Sequence, residues 1–285
     1  MKYTFIAAHE VQFQVKRMCH VLAVGRSGYY AWRDRSPSTR EQANQALLAL
    51  IAAEHQRSRK TYGSPRLHLS LRRKGVVCGH NRVARLMRLK GIMALTKRRY
   101  HPATTQRQPG VVPAPNLLNQ EFSATAPNQK WVSDFTYIPT REGWLYLAVV
   151  LDLYSRKVIG WSMSRTMDTA LVETALTMAL RERHPPAGLL HHSDQGSQYT
   201  SASYRNCLIS AMAQLSMSGA GNCYDNAVIE SFFGTLKTEC VTGPFTTCAQ
   251  ARTAIFEYLE VWYNRQRLHS SLDYYSPVDF ENLTL

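Results

Sequence analysis

Apolar positions recur along the chain with two different periods, and the change of period divides it. From Val11 to Val24 they fall at helical spacing (Val11, Val15, Met18, Cys19, Leu22). Gly25 interrupts the run, and Ser27 is placed to cap a second short helix through Trp32. That is a helix-turn-helix outline, which a plain helical hairpin shares. Glu41 to His55 predicts a further Ala/Leu-rich helix, and Ser64-Pro65 predicts one that opens on proline, runs through Arg73 and closes at Gly75. Asn81 is placed to cap a third, whose apolar Val83, Leu86 and Met87 alternate with Arg82, Arg85, Arg88 and Lys90 before Gly91 ends it. Between His101 and Gln129 the periodicity fades and five of the twelve prolines collect (Pro102, Pro109, Pro113, Pro115, Pro127), as in an extended linker.

Beyond the prolines the period becomes that of strands. Trp131–Ile138, Trp144–Leu153 and Lys157–Met163 are rich in β-formers, with Tyr154-Ser155-Arg156 turning between the last two. A helix follows over about 169–183, capped by Asp168 and stopped by Pro185-Pro186. Then come a short strand over 189–193, a helix over about 202–212, a strand near Leu215, a long helix from Asn226 to about Cys240, and an amphipathic helix over 249–264. Three strands followed by alternating helix and strand predict a mixed α/β sheet with helices on its faces.

The 285 residues, 45% of them apolar, suffice for a sizeable core. No run of about 20 apolar residues occurs, so no membrane span is expected. Six cysteines without a CxxC pair point to reduced thiols in a cytosol. Charge changes the picture more. Residues 1–110 hold 22 Lys and Arg against four acids, residues 111–285 hold 12 against 16, and His55 to Arg107 contains 15 basic residues and no acid. So uneven a distribution predicts a basic region that holds a polyanion, with a phosphate backbone the natural one. Arg82, Arg85, Arg88 and Lys90 are read as backbone contacts, not base readers.

Three acids occupy positions that metal-dependent phosphoryl transfer would use. Asp134 lies mid-strand in WVSDFTY, on the face of Val132, Thr136 and Ile138, where the alternation predicts an apolar residue. Asp194 ends a strand, and Glu230 lies on a helix among Val228, Ile229, Phe232 and Phe233. Acids at the edge of a core need a partner, a proton or a cation. Hard carboxylate oxygens suit Mg²⁺, and two such ions can stabilise the attacking and leaving oxygens of a displacement at phosphorus. From spacing alone, Arg or Lys partners for Asp134 and Glu230, or a solvent-facing placement, remain open.

The stretches WVSDFTYI, LAVVLDLYSRKVIGW, HHSDQGSQYTS, GNCYDNAVIESFFGTLKTE and YNRQRLHSSLDYYSP, in order from Trp131 to Pro277, closely resemble bacterial insertion-sequence transposases of the DDE type, specifically the second-frame protein with the integrase catalytic core. VLAVGRSGYYAW and YGSPRLHLSLRRKG resemble the same family nearer the N-terminus. Asp194 and Glu230 have 35 residues between them, the family's D-x35-E spacing.

The resemblance implies a ribonuclease-H-like mixed-sheet core preceded by a basic, all-α, helix-turn-helix-like region. The expected divisions are 1–38 (helix-turn-helix-like), 39–100 (basic helical, DNA-binding), 101–127 (Pro-rich linker) and 128–282 (catalytic core with its C-terminal helix). Asp134, Asp194 and Glu230 become the metal-binding triad for Mg²⁺ or Mn²⁺, two ions being expected, in DNA cleavage and strand transfer. Lys237, two helical turns after Glu230, matches a basic position expected to meet the DNA end, with an ordinary surface lysine as the alternative. Asn226 is either a helix cap or a DNA contact.

The implied partners are the element's terminal inverted repeats, target DNA, an upstream-frame helix-turn-helix and leucine-zipper protein joined by frameshifting, and further copies of the chain on DNA. The implied place is the bacterial cytoplasm, on the nucleoid, with no membrane. A divalent-metal nuclease of the same fold and a non-catalytic DNA-binding regulator are the alternatives.

Other residues are read more plainly. Asp152 is expected in a turn more than at a metal, and His191 and His192 in packing. Trp262, Tyr263, Arg265, Arg267 and His269 either clasp DNA or pack on the core. Where relatives carry a basic residue, this chain has Ser218-Gly219-Ala220-Gly221, which puts a phosphate contact there in doubt.

Overall fold

The computed structural model describes residues 1–96, 113–219 and 223–283. Three short helices come first: α1 (Lys2–His9), α2 (Val15–Val21) and α3 (Arg26–Arg33). They close around Ile6, Met18, Cys19 and Tyr29. The sequence pattern did not predict α1, and Val11, expected on a buried helical face, is exposed. Backbone Gly25 holds the N-cap position of α3, so Ser27 lies inside the first turn and does not cap.

The second helical group is α4 (Thr39–Arg57), α5 (Ser64–Arg73) and α6 (His80–Leu89). Ser38 Oγ accepts the Glu41 N–H to cap α4. Helix α6 starts two residues earlier than expected, with Gly79 at its N-cap, so Asn81 is not a cap. Leu47, Ile51, Leu67, Leu71, Val83, Leu86 and Met87 form their shared interior.

The rest of the chain is built on a five-stranded sheet. Strands β1 (Lys130–Thr140), β2 (Gly143–Asp152) and β3 (Val158–Ser164) form an antiparallel meander. Helix α7 (Thr169–Arg183) then crosses to β4 (Leu190–Ser193), and α8 (Ser197–Thr200) and α9 (Ala202–Ser210) lead to β5 (Gln214–Met217). Strand β4 pairs parallel with β1 and with β5, giving the order β3-β2-β1-β4-β5 of a ribonuclease-H-like sheet. The chain ends with α10 (Ala227–Glu239), α11 (Cys248–Phe256) and α12 (Pro277–Asn282).

Alternation along β1 and β2 sends side chains to two interiors. Trp131, Ala148 and Val150 meet α7 and α9 on one face; Val132, Ile138, Leu147 and Val149 meet α10 and α11 on the other. Gly160 of β3 lets α7 approach so closely that a Cβ there would stand 2.2 Å from the Ala175 carbonyl oxygen. Where a single helix over 249–264 was expected, α11 widens at Glu257–Tyr263 into a π-helical turn that buries Tyr258, Leu259, Trp262 and Tyr263 together.

The Pro-rich stretch lies partly outside the described residues, as do Lys97, Arg98, Arg99 and Arg107. Its described part is held on the sheet: the Met217 N–H donates to the Pro115 carbonyl, and Ser216 Oγ accepts the N–H groups of Leu117 and Leu118. The helical group α4–α6 packs on the segment after the π-turn. Tyr62 Oη accepts the Leu268 N–H (2.8 Å) and donates to the Gln266 carbonyl (3.2 Å).

Candidate active site

Asp134 sits midway along β1 opposite Val149, on the sheet face that α10 covers. Its Oδ1 accepts the Phe135 N–H at 2.7 Å. Asp194 follows β4 directly, and because Ser133 pairs with Ser193 in parallel register, the two aspartates occupy the next positions on neighbouring strands. Asp194 Oδ1 accepts the Gly196 N–H at 2.9 Å, and a Cβ on residue 196 would stand 3.0 Å from that oxygen, so glycine gives the carboxylate its seat. Glu230 lies in the first turn of α10 on its exposed side, while Ile229, Phe232 and Phe233 anchor the helix to the core.

The three carboxylates feel one another. Burial, then Asp194, hold the Asp134 carboxyl well above the ordinary carboxylate range; Glu230 adds to the rise, and the Phe135 N–H and Lys237 oppose it. Lys237 is half-buried, with Nζ 4.7 Å from the centre of the Tyr137 ring. Burial draws its pKa down while the Asp134 carboxylate raises it. Among the described residues no three His, Cys, Asp or Glu side chains are gathered closely enough to hold a metal ion. The acids are thus electrostatic neighbours, not a ligand set already drawn together. An all-oxygen donor set in which each negative charge disfavours the next fits a hard divalent cation.

Asn226 occupies the N-cap position of α10 but makes no side-chain capping hydrogen bond, and its buried Oδ1 has no partner among the described residues. The capping alternative therefore fails in its hydrogen-bond sense. Of the basic residues on α6, Arg82 Nε donates to Asn44 Oδ1 at 2.8 Å, while Arg85, Arg88 and Lys90 are exposed.

Tyr199, near the carboxylates, escaped the sequence analysis, whereas Asp225 entered it only through its match to the resembling family's Tyr-Asp-Asn-Ala signature. Tyr199 is buried against Phe135, its hydroxyl without a partner, and burial, Asp134 and Asp194 raise its pKa far. Asp225 is buried and accepts from Asn116 Nδ2, Gln120 Nε2 and the Gly219 N–H, tying three separate segments together at the start of α10. Their only sequence signal was membership of the quoted stretches.

The remaining candidates are structural. Asp152 accepts the N–H groups of Asn128 and Tyr154 and pairs with Arg183, which also binds Glu281. His191 Nε2 lies 3.2 Å from both Ser133 Oγ and Tyr204 Oη, and His192 bridges Ser216 and Ser218. Burial pushes the two imidazoles down to about 3 and about 4, so both are neutral. Trp262, Tyr263, Arg267 and His269 are buried, and Arg267 grips Glu239 through Nε and Nη2, which favours packing over a DNA clasp. Arg265 is exposed, its Nε on the Glu260 carbonyl. Ala220 and Gly221 lie outside the described residues.

Known proteins resemble this chain along its whole length. Residues 124–223 and 230–285 match models of an integrase core domain, and residues 42–100 match an HTH-like domain. A transposase InsF for insertion sequence IS3A from Escherichia coli is 46% identical over 288 aligned positions, covering 100% of both chains. An uncharacterized 31 kDa protein of insertion element IS600 from Shigella sonnei is 47% identical over 264 residues, covering 92% of this chain and 97% of its own. Among solved structures, the HTLV-2 integrase catalytic core domain in complex with magnesium aligns at 17% identity with a TM-score of 0.40, over 55% of this chain and 98% of that one.

Proposed function

This chain belongs to the family of insertion-sequence transposases built on an integrase core, and on that premise we propose that Asp134, Asp194 and Glu230 form its site for cutting DNA at element ends and joining the freed 3′-hydroxyl to a second strand. The observation that carries the assignment is the state of Asp134: a carboxyl on a core strand, pushed away from ionisation by burial and by the other two acids. Three mutually repelling acids, one on β1, one at the end of β4 and one on α10, disfavour one another's charge unless a cation joins them.

When bound, Mg²⁺ or Mn²⁺, two ions in the expected arrangement, supplies the neutralising charge and activates water or a 3′-hydroxyl. Asp134 and Asp194, on neighbouring strands, would hold the ions from one side, and Glu230 would hold them from α10. Lys237 lies on the Asp134 side of that helix and offers a cation to the DNA end; Asn226 offers an unpaired amide oxygen for a base or sugar donor.

The exposed Arg85, Arg88 and Lys90, with Arg82 behind them, would track a DNA backbone. The helical parts over 1–38 and 39–100 would hold DNA, 101–127 would connect them and 128–282 would perform the chemistry. An upstream-frame protein fused by frameshifting would add end recognition, and further copies would assemble on DNA.

The test is cleavage and strand transfer on labelled duplexes carrying the element ends, with Mg²⁺ or Mn²⁺, for wild type and Asp194→Asn. The expected result is metal-dependent joined product, reduced by about 10²-fold or more in the variant. Equal activity in both proteins refutes the triad, and cleavage without joining reduces the activity to that of a nuclease.

A further inference from the structure

A cavity of about 580 Å³ lies away from the three acids, none of which lines it. Its walls come from separate parts of the fold: Arg66 of α5, Arg156 of the β2–β3 turn, Arg267 and His269 after the π-turn, and Ser231 and Thr235 of α10. Among the described residues Glu239 is the only acid in the lining, and it is already occupied. It accepts from Arg267 Nε and Nη2 and from the hydroxyl of Tyr258.

Among the described residues Arg66 and Arg156 have no such partner. Arg66 stands 5.7 Å from the centre of the Tyr62 ring, and Arg156 donates through Nη2 to the Phe122 carbonyl while its buried Nη1 meets no acceptor. The charge they leave is felt by their neighbours. His269 is held neutral by burial and by all three guanidiniums, and burial together with Arg267 disfavours the charge of Arg66. Half-buried like charges converging on a roomy, hydroxyl-lined cavity cost stability unless an anion enters it.

We propose that this cavity is a second anion site that binds a phosphate group, with the guanidiniums of Arg66 and Arg156 as its charged donors and the hydroxyl of Ser231 as a supporting one. Guanidinium forks match phosphate oxygens in geometry, which ammonium groups do not. The α10 stripe of Ser231 and Thr235 adjoins the one bearing Glu230, so a phosphate here would also brace that helix. The group could be a phosphodiester of bound DNA or a free phosphoanion; both present the same oxygens.

Two measurements on the full chain in EDTA, where no metal-dependent chemistry occurs, test the site independently of the triad. The first is thermal unfolding with and without millimolar inorganic phosphate, for wild type, Arg66→Gln and Arg156→Gln. Phosphate is expected to raise the unfolding temperature of wild type and of neither variant, and both variants are expected to unfold at or above the wild-type temperature when phosphate is absent. The second is binding of a labelled duplex across a salt series. A phosphodiester source predicts a loss of roughly tenfold in affinity per variant, with the salt slope reduced by about one. Unchanged duplex binding beside a lost phosphate response assigns the site to a free phosphoanion. If neither phosphate response nor duplex binding differs between wild type and the variants, the proposal is overturned. The two variants sit on different elements, so a folding failure in one leaves the other to decide.

Discussion

Asp134 shows what a single acid on an apolar strand face costs. Its carboxyl takes a proton more readily in the folded chain than in the unfolded one, whose value is near 3.8. A raised acid of this kind stabilises the fold fully only below that unfolded value, and the contribution is lost as pH rises toward the folded pKa. Asp134→Asn removes the loss. In EDTA the variant is expected to match wild type near pH 4 and to exceed it increasingly at higher pH, by a few degrees, roughly 2–4 °C per kcal/mol, in thermal melts. Added Mg²⁺ should stabilise wild type and leave the variant unmoved; a variant less stable than wild type at pH 7 would contradict this reading.

The same residue shows why part of the site was legible. Asp134 broke an alternation that predicted an apolar side chain, and Asp194 and Glu230 stood at a recognisable spacing. Tyr199 and Asp225 broke no pattern. Their importance lies in which loops meet, a fact that no local period records.

At the level of elements, the strands and α7 were readable because period, cap and stop agreed: Asp168 Oδ1 accepts the Leu171 N–H, and His184 ends the helix in the left-handed region. The start of α6 was misread because Asn81 is a good cap by residue type, whereas the extended backbone of Gly79 sets the boundary. The π-turn was illegible for a different reason. Asn264 holds both the N–H and the carbonyl of Val158 (3.0 and 2.9 Å), and meeting that edge while burying four large side chains requires a wider turn than α-helical spacing provides.

Close approach of α7 to β3 gives the sharpest prediction at this scale. Gly160→Ala would place its methyl against the Ala175 carbonyl and Ala179, with no flexible side chain to yield. Destabilisation of about 1–3 kcal/mol or more is expected in urea unfolding. Gly188→Ala is not a control, since Gly188 has a positive φ, nor is Gly79→Ala, since Gly79 is the N-cap of α6; Gly243→Ala is, because nothing stands within 4 Å of a Cβ there. Equal losses at Gly160 and Gly243 would show that the contact does not limit packing.

Across the whole molecule, the basic helical group and the sheet share one hydrophobic interior, with Tyr62 as a polar joint between α4–α6 and the C-terminal segment. Tyr62→Phe keeps the ring and strips the buried Leu268 N–H of its acceptor, a loss of about 1–3 kcal/mol. The expected result is one cooperative transition at lower denaturant, with the same midpoint by circular dichroism and by tryptophan fluorescence. An unshifted midpoint would show that the joint carries no load, and two separated transitions would show that the halves fold independently.

The parallel pairing of Ser133 with Ser193 works as a ruler. Everything between the two strands, β2, β3 and α7 included, can lengthen or shorten without altering the spacing of Asp134 and Asp194, because backbone hydrogen bonds set that spacing and the excursion does not. Glu230 has no such ruler. It rides on a helix outside the sheet, and its place is kept by side chains, the buried Ile229, Phe232 and Phe233 together with the three-way grip of Asp225. Two of the acids are therefore insured against insertions in the chain between them, whereas the third depends on a latch that a single substitution can open.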